Sequence, residues 1–161
     1  MAKANIPYED FIAMVDPQMV PFVNEVNGYL LQNGCTLGIE PAKSGYVVSY
    51  KHKASERTMV NFVFRKKGLV IRIYADNVRK YMEYLEQLPK AMLQSIAKAP
   101  VGRPMINPEL CNAHCPKGYE FLLGGEIQQK CRYNCFLLFL SEEANPYIME
   151  ILRKEMAQRP A

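Results

Sequence analysis

Four of the five cysteines fall in the last third of the chain as two matching pairs, Cys111 with Cys115 and Cys131 with Cys135, three residues inside each pair and fifteen between them. Thiolates are soft ligands, and four of them suit a tetrahedral Zn2+ ion with Zn–S bonds near ~2.3 Å. The first pair follows Asn107-Pro108-Glu109-Leu110, a cap-plus-proline opening that favours one helical turn. On such a turn residues four apart share a face, about 5–6 Å from each other. His114 lies inside this pair and is a further candidate ligand. The second pair sets a condition. If Cys131–Cys135 were extended, its ends would stand ~13 Å apart, too far for one ion. A four-cysteine site therefore requires a turn within Arg132-Tyr133-Asn134.

Two other readings of these cysteines stay open. Free Cys often behaves as a small buried hydrophobe, and on an extended strand Cys131, Tyr133, Cys135, Leu137 and Phe139 would share one face. A redox pair is the third, although the spacing lacks the Cys-x-x-Cys geometry that depresses a thiol pKa. Cys35 follows the helix-ending Gly34 and reads as structural.

A second candidate constellation is aromatic. Tyr46, Tyr50, Tyr74 and Tyr133 lie in stretches that read as strands. Packed against helices they would be core. Left partly uncovered they would line a mostly apolar pocket with hydroxyl handles, the usual make-up of a small-ligand site. Other chemistry is poorly represented. The two histidines, His52 and His114, sit in no recognisable motif with Ser or a carboxylate, and no phosphate-cradling glycine loop occurs. Glu83 with Glu86, and Glu142-Glu143, read as exposed helix-surface charge. Lys51, His52, Lys53 and Arg57 flank one turn and Arg65, Lys66 and Lys67 the next. In a meander these turns lie at opposite ends of a strand, ~26 Å apart, so they build no single patch for nucleic acid, and solvated lysine-protected turns account for them.

The elements that must position these residues follow from periodicity. A short helix is expected over Tyr8–Val15. A second opens with Asp16 as cap and Pro17 at its first position, carries Met19, Phe22, Val26, Tyr29 and Leu30 on one stripe, and stops at Asn33-Gly34. Three alternating runs, Gly45–His52, Arg57–Arg65 and Leu69–Ala75, joined by short turns, predict an antiparallel meander. A long helical stripe runs from Val78 to Ile96, with Pro89 expected to kink or split it. Tyr119–Leu123 and Glu126–Leu140 read as a hairpin closed by Gly124-Gly125, in which Gly118 faces Cys131. A last helix is expected over Asn145–Gln158, Asn145 as cap and Pro146 first. The expectation is a single α+β domain over residues 1–161: an antiparallel meander sheet plus a late β-hairpin, covered by N-terminal, central and C-terminal helices.

Length and composition agree. At 161 residues, with 49% apolar and 22% charged residues, a core can form without staples. The opening residues carry no apolar signal-like stretch, and no run approaches the ~20 apolar residues of a membrane span. A cytoplasmic, non-membrane protein is the expectation, with thiols reduced, free or metal-bound.

The stretch from Val60 to Tyr74, Val-Asn-Phe-Val-Phe-Arg-Lys-Lys-Gly-Leu-Val-Ile-Arg-Ile-Tyr, followed by a helix, a hairpin and a last helix, resembles small bacterial proteins of unknown function, in particular the YjbR-like group. The resemblance spans residues 45–155. It implies a compact α+β domain and carries no functional residue across. The function expected from the residues is a binding or interaction module, zinc-stabilised through the late cysteines. The rival is a small-molecule binder or enzyme with a tyrosine-lined pocket on the sheet, and nucleic-acid binding ranks third. A small molecule or a protein is the partner expected.

Overall fold

The computed structural model describes residues 6–99 and 118–160; Cys111, His114 and Cys115 lie outside them. Two helices, α1 (Tyr8–Ile12) and α2 (Val20–Gln32), lead into the strands β1 (Cys35–Ala42), β2 (Gly45–His52), β3 (Arg57–Arg65) and β4 (Gly68–Ile73). Two 3₁₀ segments (Val78–Lys80 and Met82–Gln87) and α3 (Lys90–Lys98) follow. Beyond them come β5 (Tyr119–Leu123), β6 (Glu126–Lys130), β7 (Leu137–Phe139) and α4 (Asn145–Ala157). The expected architecture is present. β1 to β4 form an antiparallel meander that β7 extends to five strands, order β1-β2-β3-β4-β7, while β5 and β6 make a separate two-stranded hairpin.

Strand register separates the sheet into two faces. Ile39, Val48, Phe62, Ile71 and Leu138 stand in one cross-strand row, with Leu37, Tyr50, Val60 and Ile73 in the next. These side chains meet Phe11, Val23, Val26 and Leu30 from α1 and α2, and Ile148, Ile151 and Leu152 from α4, in one buried cluster. Completely burying a Phe, Ile or Leu contributes about 1.5–3 kcal/mol, so this face is the main source of stability. It is covered by N- and C-terminal helices, as expected.

Four local readings need correction. No strand was expected at Cys35–Ala42, where Gly38 and Pro41 are poor strand formers. It forms as the edge partner of β2, the position in a sheet that tolerates proline. The second helix begins at Val20 rather than behind Asp16; the Asp16 carboxylate instead accepts from the Gln18 amide (2.9 Å) in the preceding turn. The long central stripe is split at Pro89, as expected, but its first part is not α-helical. Residues 78–87 wind as 3₁₀ turns, and Pro89 stands as the N-cap of α3, since proline has no N–H to donate to the preceding turn. Finally, Glu126–Leu140 is not a single hairpin arm: pairing with β5 ends at Lys130, and after a turn the chain joins β4 as β7. The Gly124-Gly125 turn is as expected, with both φ values positive (60° and 81°) and Leu123 opposite Glu126.

Candidate functional site

The second face of the sheet differs in kind from the core face. One row across it runs Gly38, Ser49, Asn61, Arg72, Leu137; the next runs Glu40, Val47, Val63, Val70, Phe139. A polar row thus lies alongside a valine row. Ser49, Arg72, Leu137, Val47 and Val63 are half-buried and Phe139 is 46% exposed, so much of this face reaches solvent.

The polar row is tightly organised. Asn61 Nδ2 donates to Ser49 Oγ (2.8 Å). Its Oδ1 accepts from Arg72 Nη1 (3.2 Å) and from the Tyr74 hydroxyl. Arg72 Nε donates to the Tyr133 carbonyl (2.7 Å). The guanidinium is thereby held at two of its nitrogens, and Nη2 has no partner among the described residues. Burial pushes the Tyr74 hydroxyl pKa up from its ordinary value, against the lowering effect of the neighbouring Arg72, so Tyr74 donates as a neutral phenol.

Arg132 and Tyr133 reach this region from the cysteine pair. Cys131–Cys135 is not extended: the Cys135 amide donates to the Cys131 carbonyl (2.9 Å), a single helical turn between β6 and β7. This is the turn that a shared metal requires. Cys135 is fully buried and Cys131 half-buried. Burial raises the Cys135 thiol pKa far above its ordinary value, partly offset by Lys130. Among the described residues no three Cys, His, Asp or Glu side chains gather as a metal-ligating group; the other candidate ligands, Cys111, Cys115 and His114, lie outside that region.

Behind the turn is a buried charge cluster that sequence reasoning missed. Arg132 bonds Asp76 through Nε (2.8 Å) and Nη2 (3.1 Å), and its guanidinium carbon sits 4.3 Å from the Tyr74 ring centroid. Arg159 donates from Nε to Glu155 (2.9 Å) and from Nη2 to Asp76 (3.2 Å) and the Tyr74 carbonyl (2.8 Å). Glu155 also accepts from the Asn77 amide, the Asn77 side chain and the Tyr81 hydroxyl. His52 reaches the cluster through Ser55, whose Oγ lies 2.8 Å from His52 Nδ1 and accepts from Arg159 Nη1 (3.3 Å). Nearly every polar atom is satisfied, the condition under which such networks rigidify a core. Tyr119 is the exception: its hydroxyl is buried without a hydrogen-bond partner among the described residues. Glu155 and Arg159 stand four apart, but Asp76 lies 56 residues from Arg132 and 83 from Arg159, separations that leave no periodic trace in the sequence.

The four tyrosines do not share one pocket. Tyr50 is core, fully buried under α2, donating to Asn27 Oδ1 (2.6 Å) and packing edge-on against Phe62. Tyr46 lies on the same face. Tyr74 and Tyr133 meet edge-to-face at 5.8 Å, in the neighbourhood of the polar row. The pocket's tyrosines divide two and two. Elsewhere Cys35 is buried opposite His52, and Glu86, expected to be simple surface charge, accepts from the Gly124 amide (2.7 Å) in the hairpin turn. The two basic turns do fall at opposite ends of β3. No helix among the described residues is long and apolar enough to cross a membrane.

Fold and site together define an α+β protein with a five-stranded antiparallel sheet, helices packed on one face and a preorganised polar row across the other. No family model matches the chain, nor does any curated protein or solved structure.

Proposed function

We propose that this chain is a binding module that recognises a small carboxylate-bearing molecule on the polar row of the sheet. The observation that carries this reading is Arg72, half-buried, fixed by Asn61 and the Tyr133 carbonyl, with Nη2 unpartnered among the described residues. A guanidinium oriented in advance loses little freedom on binding a carboxylate and favours that planar partner. The Ser49 hydroxyl, which already accepts from Asn61, supplies a second donor in the same row. Val47, Val63, Phe139 and the Tyr133 ring offer apolar surface beside it for the body of the ligand. In this reading the Cys131–Cys135 turn is part of the site, because it sets the Tyr133 carbonyl that holds Arg72. A zinc ion bound through Cys131, Cys135, Cys111 and Cys115 would fix that turn, contributing to folding as structural metals do.

The test is a thermal-shift screen of aromatic and aliphatic carboxylates on metal-replete protein, with zinc per chain measured alongside. The expected result is a rise in melting temperature with a subset of carboxylates and not with their amides. Arg72→Gln should abolish that rise without lowering the unliganded melting point by more than a few degrees. Zinc near one per chain, and a lower melting point after chelation, are expected. A screen with no carboxylate-dependent shift, or an equal shift in Arg72→Gln, sinks the ligand reading; metal-free protein indifferent to chelators sinks the zinc reading separately.

A further inference from the structure

At one end of the sheet, away from the polar row, the α1–α2 connection, the β3–β4 turn and the segment after β7 enclose an open cleft of about 860 Å³. Its volume falls within the range of small-molecule sites. The walls are of two kinds. Met14, Met19, Phe64, Leu69 and Leu140 present apolar surface, and Arg65, Lys66 and Lys67 line it from the turn. These three cations are exposed, and none takes part in an ion pair among the described residues. Asp16 and Glu142 also border the cleft, leaving a net positive lining of three cations against two carboxylates. Asp16 is engaged by the Gln18 amide. Met14 is 49% exposed and lies across Gly45, where an added Cβ would stand 2.8 Å from its terminal methyl. Methionine walls re-pack readily around irregular apolar shapes.

We propose that this cleft binds a free, monomeric amphiphile: an acyl chain laid on the methionine, Phe64 and leucine surface, with its anionic head group met by Arg65, Lys66 and Lys67. Both features are needed for the assignment. Unpaired cations alone would mark a solvated turn, and apolar walls alone would mark a packing defect. Here a three-cation turn borders a cleft whose methionine, Phe64 and leucine surface can take an acyl chain. Lysines suit the head group because their long stems snorkel along apolar surface while the ammonium stays wet.

The experiment is calorimetric titration of the full chain with decanoate, decanol and inorganic phosphate, each below the concentration at which decanoate micellises. Saturable decanoate binding is expected, with decanol at least about tenfold weaker and phosphate without measurable heat. Because the cations are exposed, decanoate affinity should also fall as salt rises. The triple variant Arg65→Gln/Lys66→Gln/Lys67→Gln alters only exposed turn residues; it should keep the wild-type melting curve and lose about tenfold in decanoate affinity. As a control, Lys51→Gln/Lys53→Gln, exposed residues at the opposite end of β3 and outside the cleft, should bind decanoate as wild type does. Equal affinity in the triple variant, an equal loss in the Lys51→Gln/Lys53→Gln control, phosphate binding as tightly as decanoate, or association with anionic phosphatidylglycerol vesicles in place of monomeric decanoate would each overturn the proposal.

Discussion

Arg159 has a side chain 2% exposed and five N–H groups for five acceptors: Glu155, Ser55, Asp76 and the carbonyls of Arg57 and Tyr74. Glu155, its partner one helical turn back, is fully buried. Taking two charges out of water is costly, and the pair is tolerable only because each remaining lone pair and proton finds a partner. Removing one member leaves the other uncompensated. Arg159→Ala should therefore destabilise the fold by about 3–5 kcal/mol in denaturant titration. Arg159→Lys should recover only part of that, since an ammonium cannot fork to five acceptors. A loss below ~1 kcal/mol would mean that water replaces the guanidinium. Little of this could be read beforehand: Arg159, Glu155, Asp76 and Arg132 look like ordinary surface charges in sequence, and only folding brings them together.

The late hairpin is the element whose placement matters most to the site, because it delivers the Cys131–Cys135 turn. Contacts with α3 and with the Met82–Gln87 segment fix it. Lys130 Nζ donates to the Ala97 and Ala99 carbonyls (2.7 and 3.0 Å) at the C-terminal end of α3, satisfying acceptors that a helix end leaves open. Gly118 then passes so close to the opposite strand that an added Cβ would stand 1.9 Å from the Lys130 carbonyl oxygen. That neighbour is backbone and cannot rotate aside. Gly118→Ala should cost about 2 kcal/mol, within the range for overpacking. Gly28→Ala in α2, where an added Cβ meets nothing within 4 Å, should instead raise stability by roughly 0.5–1 kcal/mol. Thermal melts of the two variants check both signs. The hairpin's existence and register were legible because a Gly-Gly turn demands them. Its end was not: Cys131 to Phe139 continues an apolar-rich pattern, and only competition between pairing with β5 and pairing with β4 decides where the first stops.

Across the whole molecule, burial holds several tyrosines neutral. Burial raises the hydroxyl pKa of Tyr81, reinforced by the Glu155 carboxylate, and that of Tyr119, reinforced by Asp76; Tyr50 is raised mainly by burial, and Tyr8 is pushed up to about 12. A group whose pKa is raised on folding adds stability that is complete below its unfolded value and lost as pH climbs beyond it. The unfolded value for tyrosine is ~10, so stability should fall steadily from about pH 10 upward. Tyr50, Tyr81 and Tyr119, three of the ten tyrosines, should ionise only as the chain unfolds. Tyrosinate absorbance recorded beside circular dichroism tests this: part of the absorbance rise should coincide with loss of structure, and a complete rise before any unfolding would contradict it.

Sequence by itself determined what depends on neighbours along the chain. Alternation in Arg57–Arg65 and in the run from Leu69 made strands, Gly124-Gly125 made a turn, Pro89 broke a helix, and the order of these elements called for a meander with a late hairpin and flanking helices. Tertiary structure decided what depends on partners far apart in sequence. It made an edge strand of Cys35–Ala42 through pairing with β2, brought β7 to β4, and split four tyrosines between two sheet faces. It also wound Cys131–Cys135 into a turn, set Arg72 in a polar row, and gathered Asp76, Arg132, Glu155 and Arg159 in the interior. The physical reason is one of range. Backbone propensity and side-chain period act over a few residues, whereas register, burial and charge pairing take their values only when the whole chain closes around them.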